Sequence, residues 1–582
     1  MNEAEDAETS FLRASLARQK QIIADKKKDV ESLEQKLREN LRKQDEIYLK
    51  LFPPVRPDRN AAYISTLIEE ESAELEHLQD AIRLVGTQLN ALHERNTLSS
   101  LEQVSIAERT EELAKLKRNH AGTYTYLEHL RSLLSPIRVL PVEILTEIFE
   151  YCCDTMNIIS LSSAPMLVSH VCSAWRAIVI HKCEMWSSLK VVPDHFATKA
   201  HGLLPLAKLW LERSGDCPLR LYIRPYDALR DAIPPPVLFV DLVRLYAPHF
   251  RRWKDIVLNH TRFTDRNVSL FSSIPDDGSF PFLERFELYS GAISFEDSRK
   301  LPRLFRRAPR LQQLVWIARA FEHDPSFPYS QLTTLEVGGD YSITTVLRIL
   351  SEGEFLQTID ICVFIHSETI TSALAQVVHK SLTKVTFTCG GDSNVLFDSM
   401  TLPALQDFHI TKFGFWDDST WSQAAFLSFL RRSHCSLTSF GIVDYDLTPA
   451  NVLEILSVLS PSLINLEFEH SRGQFMTDDI LIALTYPTGG FENDGMSSVL
   501  CPRLREMKIT GCLSSTDGIL ADMVESRCHP PNTGLAQLQT GLFGINSNRL
   551  PRDKDRVMAL NGRRVDYMVL EERDVSEEVS PE

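Results

Sequence analysis

The sequence predicts a multidomain chain of mixed class. An N-terminal α-helical coiled coil (residues 1–134) is followed by a small three-helix unit (135–190), an α/β repeat solenoid (191–545) and a disordered acidic tail (546–582). Three observations predict it. Apolar residues recur at spacings of three and four between Ile64 and Leu92. The stretch from Leu140 to Leu189 is dense in apolar helix faces. A motif L-x-x-L-x-L, with other apolar residues allowed, returns nine times between Leu283 and Ile509.

At 582 residues the chain is too long for one hydrophobic core. Its hydrophobic share of 43% and charged share of 24% are ordinary for soluble globular protein. It contains no apolar run of about 18 residues, which argues against a membrane span. The start, MNEAEDAETS, lacks the basic segment and apolar block of a secretory signal, so a cytoplasmic or nuclear location is expected. The 11 cysteines, scattered from Cys152 to Cys528, suit reduced thiols better than a disulfide framework. A net charge of −16 disfavours nucleic acid as a partner, because phosphate binding draws on Lys and Arg displacing counterions. The best candidate for a local basic patch, RLFRRAPR at 303–310, reads as a solvated turn.

In the first region the prolines of Phe52-Pro53-Pro54-Val55-Arg56-Pro57 separate two helical segments. Ile64, Ile68, Leu75, Leu78, Ile82, Val85, Leu89 and Leu92 form a heptad seam. After an interruption at Asn96 to Ser100, Leu113, Leu116, His120, Tyr124, Leu127, Leu130 and Leu134 resume it more loosely. Such a seam wants a partner helix. A second copy of the chain, giving a homodimer, or the segment carrying Ile23, Val30, Leu33 and Leu37 would serve, as would the surface of the chain's own domain.

In the second region Pro141 suits a first helical turn, and Leu140, Ile144, Leu145, Ile148 and Phe149 make one wide apolar face. Val168, Val171, Cys172 and Trp175 repeat helical spacing, and Trp186 and Leu189 close the stretch. A unit of roughly 50 residues is marginal alone and should need a partner. The blocks LPVEIL with Ile148-Phe149, then VCSAWRAI (171–178), then WSSL (186–189) resemble the F-box pattern LPxEIL..IF, VCxxWRxI, LWxxL. The spacer from Tyr151 to Leu167 is longer than in the shortest F-boxes, and Cys183-Glu184-Met185 replaces the usual Pro-x-Leu. With the coiled coil and the repeats, the layout resembles the large F-box families of mushroom-forming fungi. The resemblance implies docking on a Skp-type linker through Leu140, Pro141, Ile144, Leu145, Ile148, Val171, Trp175 and Trp186, and through it a cullin-RING ligase.

In the third region the triplets begin at Leu283, Leu311, Leu332, Leu356, Leu382, Leu405, Leu437, Leu463 and Leu504, about 21 to about 41 residues apart. Trp253, Ile256 and Leu258 make an earlier, weaker copy. Helical stretches such as TTVLRILSEG lie between copies, so the unit resembles a leucine-rich repeat. The Asn or Cys that this family places three residues past the triplet is met only by Cys512, which implies irregular turns. The rival is an ordinary α/β domain with buried parallel strands.

Nucleotide, zinc-protease and serine-hydrolase motifs are absent, and His93-Glu94 lacks the second histidine of a zinc helix. Adjacent Cys152-Cys153 cannot converge on one metal. No catalytic, cofactor-binding or metal residue is expected, and the histidines, among them His170 and His409, do not cluster. The resemblance implies a non-catalytic adaptor of an SCF-type ubiquitin ligase. Its protein substrate would lie on the concave strand face, where the central residue of each L-x-L points away from the core. Glu287, Glu336, Asp360, His409, Glu467 and Lys508 belong to that row, whose acidity suits a solvated face first and a basic segment of a partner second. The rival is a scaffold that self-associates through its coiled coil; an enzyme with a non-local site is a third class.

Overall fold

The computed structural model describes residues 57–93, 100–153, 159–191, 200–223, 236–260, 267–291, 293–318, 327–365, 376–414, 421–471, 473–487, 499–531, 535–546, 548–560 and 566–571. Residues 1–56, with the Ile23 to Leu37 segment and most of the proline break, lie outside them, as do Glu94 to Ser99 and 572–582. The chain divides into two compact units: Met1–Cys152 with Met166–His181, and Cys153–Pro165 with Lys182–Glu582.

The first unit is helical. Helices α1 (Pro57–His93) and α2 (Ser100–Leu133) pack along each other as a hairpin. Pro57 occupies the first turn of α1, where its missing N–H costs nothing. All eight seam residues from Ile64 to Leu92 are buried or half-buried, and the neighbouring α2 is the partner that packs on α1. In α2 the seam runs through Leu113, Leu116, His120, Thr123, Leu127 and Leu130, alternating strictly by three and four. Tyr124, expected on it, is instead exposed, because Thr123 holds its place.

Three short helices follow: α3 (Val142–Cys152), α4 (Met166–Ser169) and α5 (Ser173–His181). Leu145 and Phe149 on α3 are buried, and the Phe149 ring stands 4.6 Å from that of Trp175 on α5. The single helical stretch expected from Val168 to Trp175 is broken at His170 to Cys172, and Ser173 opens a new helix.

The second unit is built on a 14-stranded parallel sheet. Its strands are β1 (Ser188–Val191), β2 (Leu219–Ile223), β3 (Trp253–His260), β4 (Arg285–Ser290), β5 (Gln313–Ala318), β6 (Thr334–Ser342) and β7 (Thr358–Ile365). A two-residue strand β8 (Val377–Val378) leaves the sheet and pairs with β10 (Met400–Thr401). The sheet resumes with β9 (Lys384–Gly391), β11 (Asp407–Lys412), β12 (Ser439–Val443), β13 (Asn465–Glu469), β14 (Glu506–Thr510), β15 (Thr540–Ile545) and β16 (Asp566–Glu571). The order is strictly sequential, so each strand pairs with its neighbours in the chain. The connections carry α6 (Ala200–Arg213), α7 (Pro236–Tyr246), α8 (Phe295–Phe305), α9 (Ile343–Glu352), α10 (Ser393–Asp398), α11 (Gln423–Ser433), α12 (Pro449–Leu459), α13 (Asp478–Leu484), α14 (Ile519–Cys528) and α15 (Pro551–Leu560).

Every residue of the nine triplets is buried, and the Trp253, Ile256, Leu258 copy with them. Their rings touch from strand to strand: Phe408 stacks on Phe440 at 6.4 Å, while Phe387 meets Phe408 at 6.4 Å and Phe440 meets Phe468 at 6.3 Å edge to face. Polar side chains seal the turns beneath. Ser294, Ser342 and Thr448 cap α8, α9 and α12 by accepting backbone N–H groups. Buried Asp297 accepts from Leu270 N at 2.7 Å, and buried Arg527 donates to the carbonyls of Leu484, Leu500 and Cys501.

Two expectations are corrected here. Trp186, Leu189 and Val191 have the triplet spacing and lie buried in the sheet unit, with Leu189 registered on Leu221. The third block of the 135–190 stretch is therefore the first strand repeat. Residues 548–560 and 566–571, expected within the disordered tail, form the end of a turn, helix α15 and edge strand β16. In α15 only Asp553 and Val557 are buried, so a charge-rich sequence concealed an amphipathic helix.

Candidate functional site

Two surfaces, one in each unit, hold the residues singled out from the sequence. On α3, Ile144, Ile148 and Tyr151 follow at i, i+4 and i+7 and are 42%, 37% and 85% exposed. Pro141 and Val142 at the helix start are exposed too, and Leu140 is half-buried. Leu145 and Phe149, about 100° round the helix from that stripe, are the residues that fix α3 to its unit. Leu167 on α4 and Val171 after it are likewise exposed, whereas Trp175 is half-buried under Phe149. An 11-residue helix thus spends its core-facing residues on its own unit and leaves a second apolar stripe in water.

Trp186 is not available for docking. It is 1% exposed, its ring 4.8 Å from Trp210, with the Arg213 guanidinium 4.4 Å over its face. A buried tryptophan serving as the first residue of a strand repeat cannot touch a partner. Leu145, at 7% exposure, is a core residue for the same reason. Sequence reasoning missed Tyr151 and Leu167; the i+7 spacing of Tyr151 from Ile144 was the available signal.

The strand face of the sheet is the second surface. Backbone register places Glu287, Val315, Glu336, Asp360, Thr386, His409, Gly441, Glu467 and Lys508 in one row across nine successive strands. The charged members are half-buried, and their charges are not distributed alike.

From β9 to β14 they are compensated. Lys384 Nζ lies 3.0 Å from Asp407, His409 Nε2 lies 3.2 Å from Asp407, and His409 Nδ1 lies 3.3 Å from Glu467. Lys508 Nζ donates to Glu467 at 2.6 Å and also pairs with Glu469. Burial by itself lowers His409, but the hydrogen bonds with Asp407 and Glu467 outweigh it and raise the imidazole to about 9. Burial raises Asp407, yet His409 and Lys384 bring it down to about 2. The hydrogen bond from His409, with Lys508 helping, brings Glu467 to about 2 as well. His409 reaches Glu467 over β12 because the intervening residue is Gly441; a Cβ there would stand 2.1 Å from Nδ1.

From β4 to β7 compensation is partial. Arg285 Nε donates to Glu287 at 2.7 Å. Among the described residues no cation pairs with Glu336, whose carboxyl is raised by burial and by Asp360 and Glu287 beside it. Asp360 is raised by burial, offset in part by Lys384 and His409.

Nothing in this row assembles a nucleophile, base and anion hole. Among the described residues the one group of Cys, His, Asp and Glu atoms close enough to share an ion is Cys183, Glu184 and Cys217. The arginines of 303–310 are exposed. No helix among the described residues is long and apolar enough to cross a membrane. Set against protein-family models and curated proteins, the chain matches none.

Proposed function

We propose that this chain is a non-catalytic adaptor of an SCF-type (Skp-cullin-F-box) ubiquitin ligase, working in the cytoplasm or nucleus without a cofactor. An F-box around α3 docks on a Skp-type linker, and a leucine-rich-repeat-like solenoid offers its strand face to a protein substrate. The α1–α2 hairpin is a coiled-coil extension of the F-box. The adaptor makes and breaks no bond; it raises the local concentration of substrate near a conjugating enzyme held elsewhere in the complex.

The exposed stripe Pro141, Ile144, Ile148 and Tyr151 carries this reading. Burying a large aliphatic side chain is worth about 1.5–3 kcal/mol, so a small unit that leaves several in water is suited to a partner that covers them. Because these residues are exposed, changing them tests docking without undoing the fold. Full-length wild type and an Ile144→Ser, Ile148→Ser double variant are each co-purified with a Skp-type linker, with circular dichroism on both. Capture by wild type and loss by the folded variant supports the adaptor. Equal capture by both, or by neither, refutes docking through this face.

Apolar and aromatic residues left exposed on the α1–α2 hairpin favour a second reading, a self-associating scaffold. Tyr63, Leu84, Val104, Tyr124 and Tyr126 are all exposed there. Sedimentation of the full chain across concentration separates the two: a dimer lost on Leu84→Ser and Tyr126→Ser with linker capture intact makes self-association an added property, and a dimer that captures no linker makes it the function.

A further inference from the structure

We propose that Cys183 and Cys217 form a reversible disulfide that staples the first turn of the sheet unit, independently of any adaptor role. Their Sγ atoms lie 2.6 Å apart, inside the contact distance of two non-bonded sulfurs, although 34 residues separate them in the chain. All eleven cysteines are free thiols here, and irregular spacing gave no sign that two would meet.

Both thiols stand on braced backbone. Cys183 opens the 3-10 turn Cys183–Trp186, which buried Trp186 anchors. Cys217 closes the turn before β2, its N–H donating to Ser214 O at 3.0 Å. Arg252 clamps that turn, donating from Nε to Cys217 O at 3.0 Å and from one terminal nitrogen to Ser214 Oγ at 2.6 Å. Gly215, in the left-handed region at φ 50°, turns the chain back beneath Cys183.

A metal fits this pair less well. Two thiolates on one tetrahedral zinc, with Zn–S of about 2.3 Å, stand about 3.8 Å apart. The third potential ligand, Glu184, is exposed, accepts from Cys183 Sγ at 3.5 Å and faces Lys182 at 3.8 Å. Burial, with the Cys183 sulfur beside it, pushes the Cys217 thiol up to about 12. A thiol held up in this way is a poor first nucleophile, so Cys183 is the one that opens the exchange.

The reaction is thiol–disulfide exchange with a low-molecular-weight disulfide of the glutathione type. The Cys183 thiolate attacks one sulfur of the oxidant, and the S–S bond breaks to release one thiol. Cys217 loses its proton and attacks the Cys183 sulfur, displacing the second thiol. Two protein thiols are oxidised and one small disulfide is reduced to two thiols. The new bond joins the turns entering β1 and β2, at the end where four-residue β1 is held in the sheet by β2 alone.

The test incubates the full-length reduced chain in glutathione buffers of increasing oxidised fraction, then quenches with acid and alkylates. Peptide mapping by mass spectrometry is expected to find one Cys183–Cys217 linked peptide that is fully reversed by dithiothreitol. Cys217→Ser is expected to stop at a glutathione adduct on Cys183. Amide exchange of β1 is expected to slow at least several-fold on oxidation. Independent alkylation of both thiols at every buffer ratio overturns the proposal. So does one zinc per chain, bound by wild type and lost in both Cys183→Ser and Cys217→Ser, that shields them from oxidation.

Discussion

His409 crosses a strand to reach Glu467, and that reach depends on Gly441. In Gly441→Ala the new methyl occupies the place of the imidazole edge, so the ring turns away and the ion pair opens. A loss of about 1–2 kcal/mol in denaturant unfolding is expected, and an NMR titration should find His409 well below its value of about 9. The pH window follows from the shifts. The His409 contribution is complete below its ordinary 6.5 and fades as pH rises through about 9. Those of Asp407 and Glu467 are complete above their ordinary 3.8 and 4.5 and fade as pH falls through about 2. Glu336 has the opposite sign: its raised carboxyl means that the folded protein resists the charge, so Glu336→Gln should gain roughly 0.5–1 kcal/mol at pH 7 and less in acid. The row was legible in the sequence because the centre of each L-x-L alternates away from the core. The pairing within it was not, since which strands stand side by side decides whom His409 meets, and a glycine in a list of charges reads as a blank.

Helix α3 spends two residues on its own unit and presents others outward, and the two sets predict opposite results. Leu145→Ala and Phe149→Ala remove buried apolar volume and should each cost about 2–5 kcal/mol. Ile144→Ser and Ile148→Ser, on the exposed side, should stay within about 0.5 kcal/mol by thermal or urea unfolding. An apolar face could be read from LPVEIL and the following Ile148-Phe149, but sequence spacing merged the core and solvent sides into one stripe. In the same way Trp186-Ser187-Ser188-Leu189 looked like the close of a helical unit, because a triplet W-x-x-L-x-V is indistinguishable from a helix end until its strand partner Leu221 is known.

Across the molecule, sequential parallel order means that each strand repeat of the second unit leans on its neighbours, and the terminal ones need covering. Helix α15 does this for α14: Asp553 accepts from Ala521 N at 2.7 Å, and Arg556 pairs with Asp522 at 2.8 Å and Glu525 at 2.7 Å. Removing residues 549–582 should lower the melting temperature and promote association, read by thermal unfolding with light scattering. The triplets made the ten central repeats legible, from Trp253 to Ile509, but not the strands β1, β2, β15 and β16 at the two ends of the 14-stranded sheet, nor the cap, since it buries few residues among many charges. The shared register has a metrical consequence. Strands advance ~4.8 Å across the sheet and an extended chain advances ~3.3 Å per residue, so two strands match about three residues. The nine places from Glu287 to Lys508 then form a scale of about 38 Å. An extended segment laid along it meets equivalent positions at every third side chain, like a vernier, and an insertion of one residue shifts the match along the remaining scale.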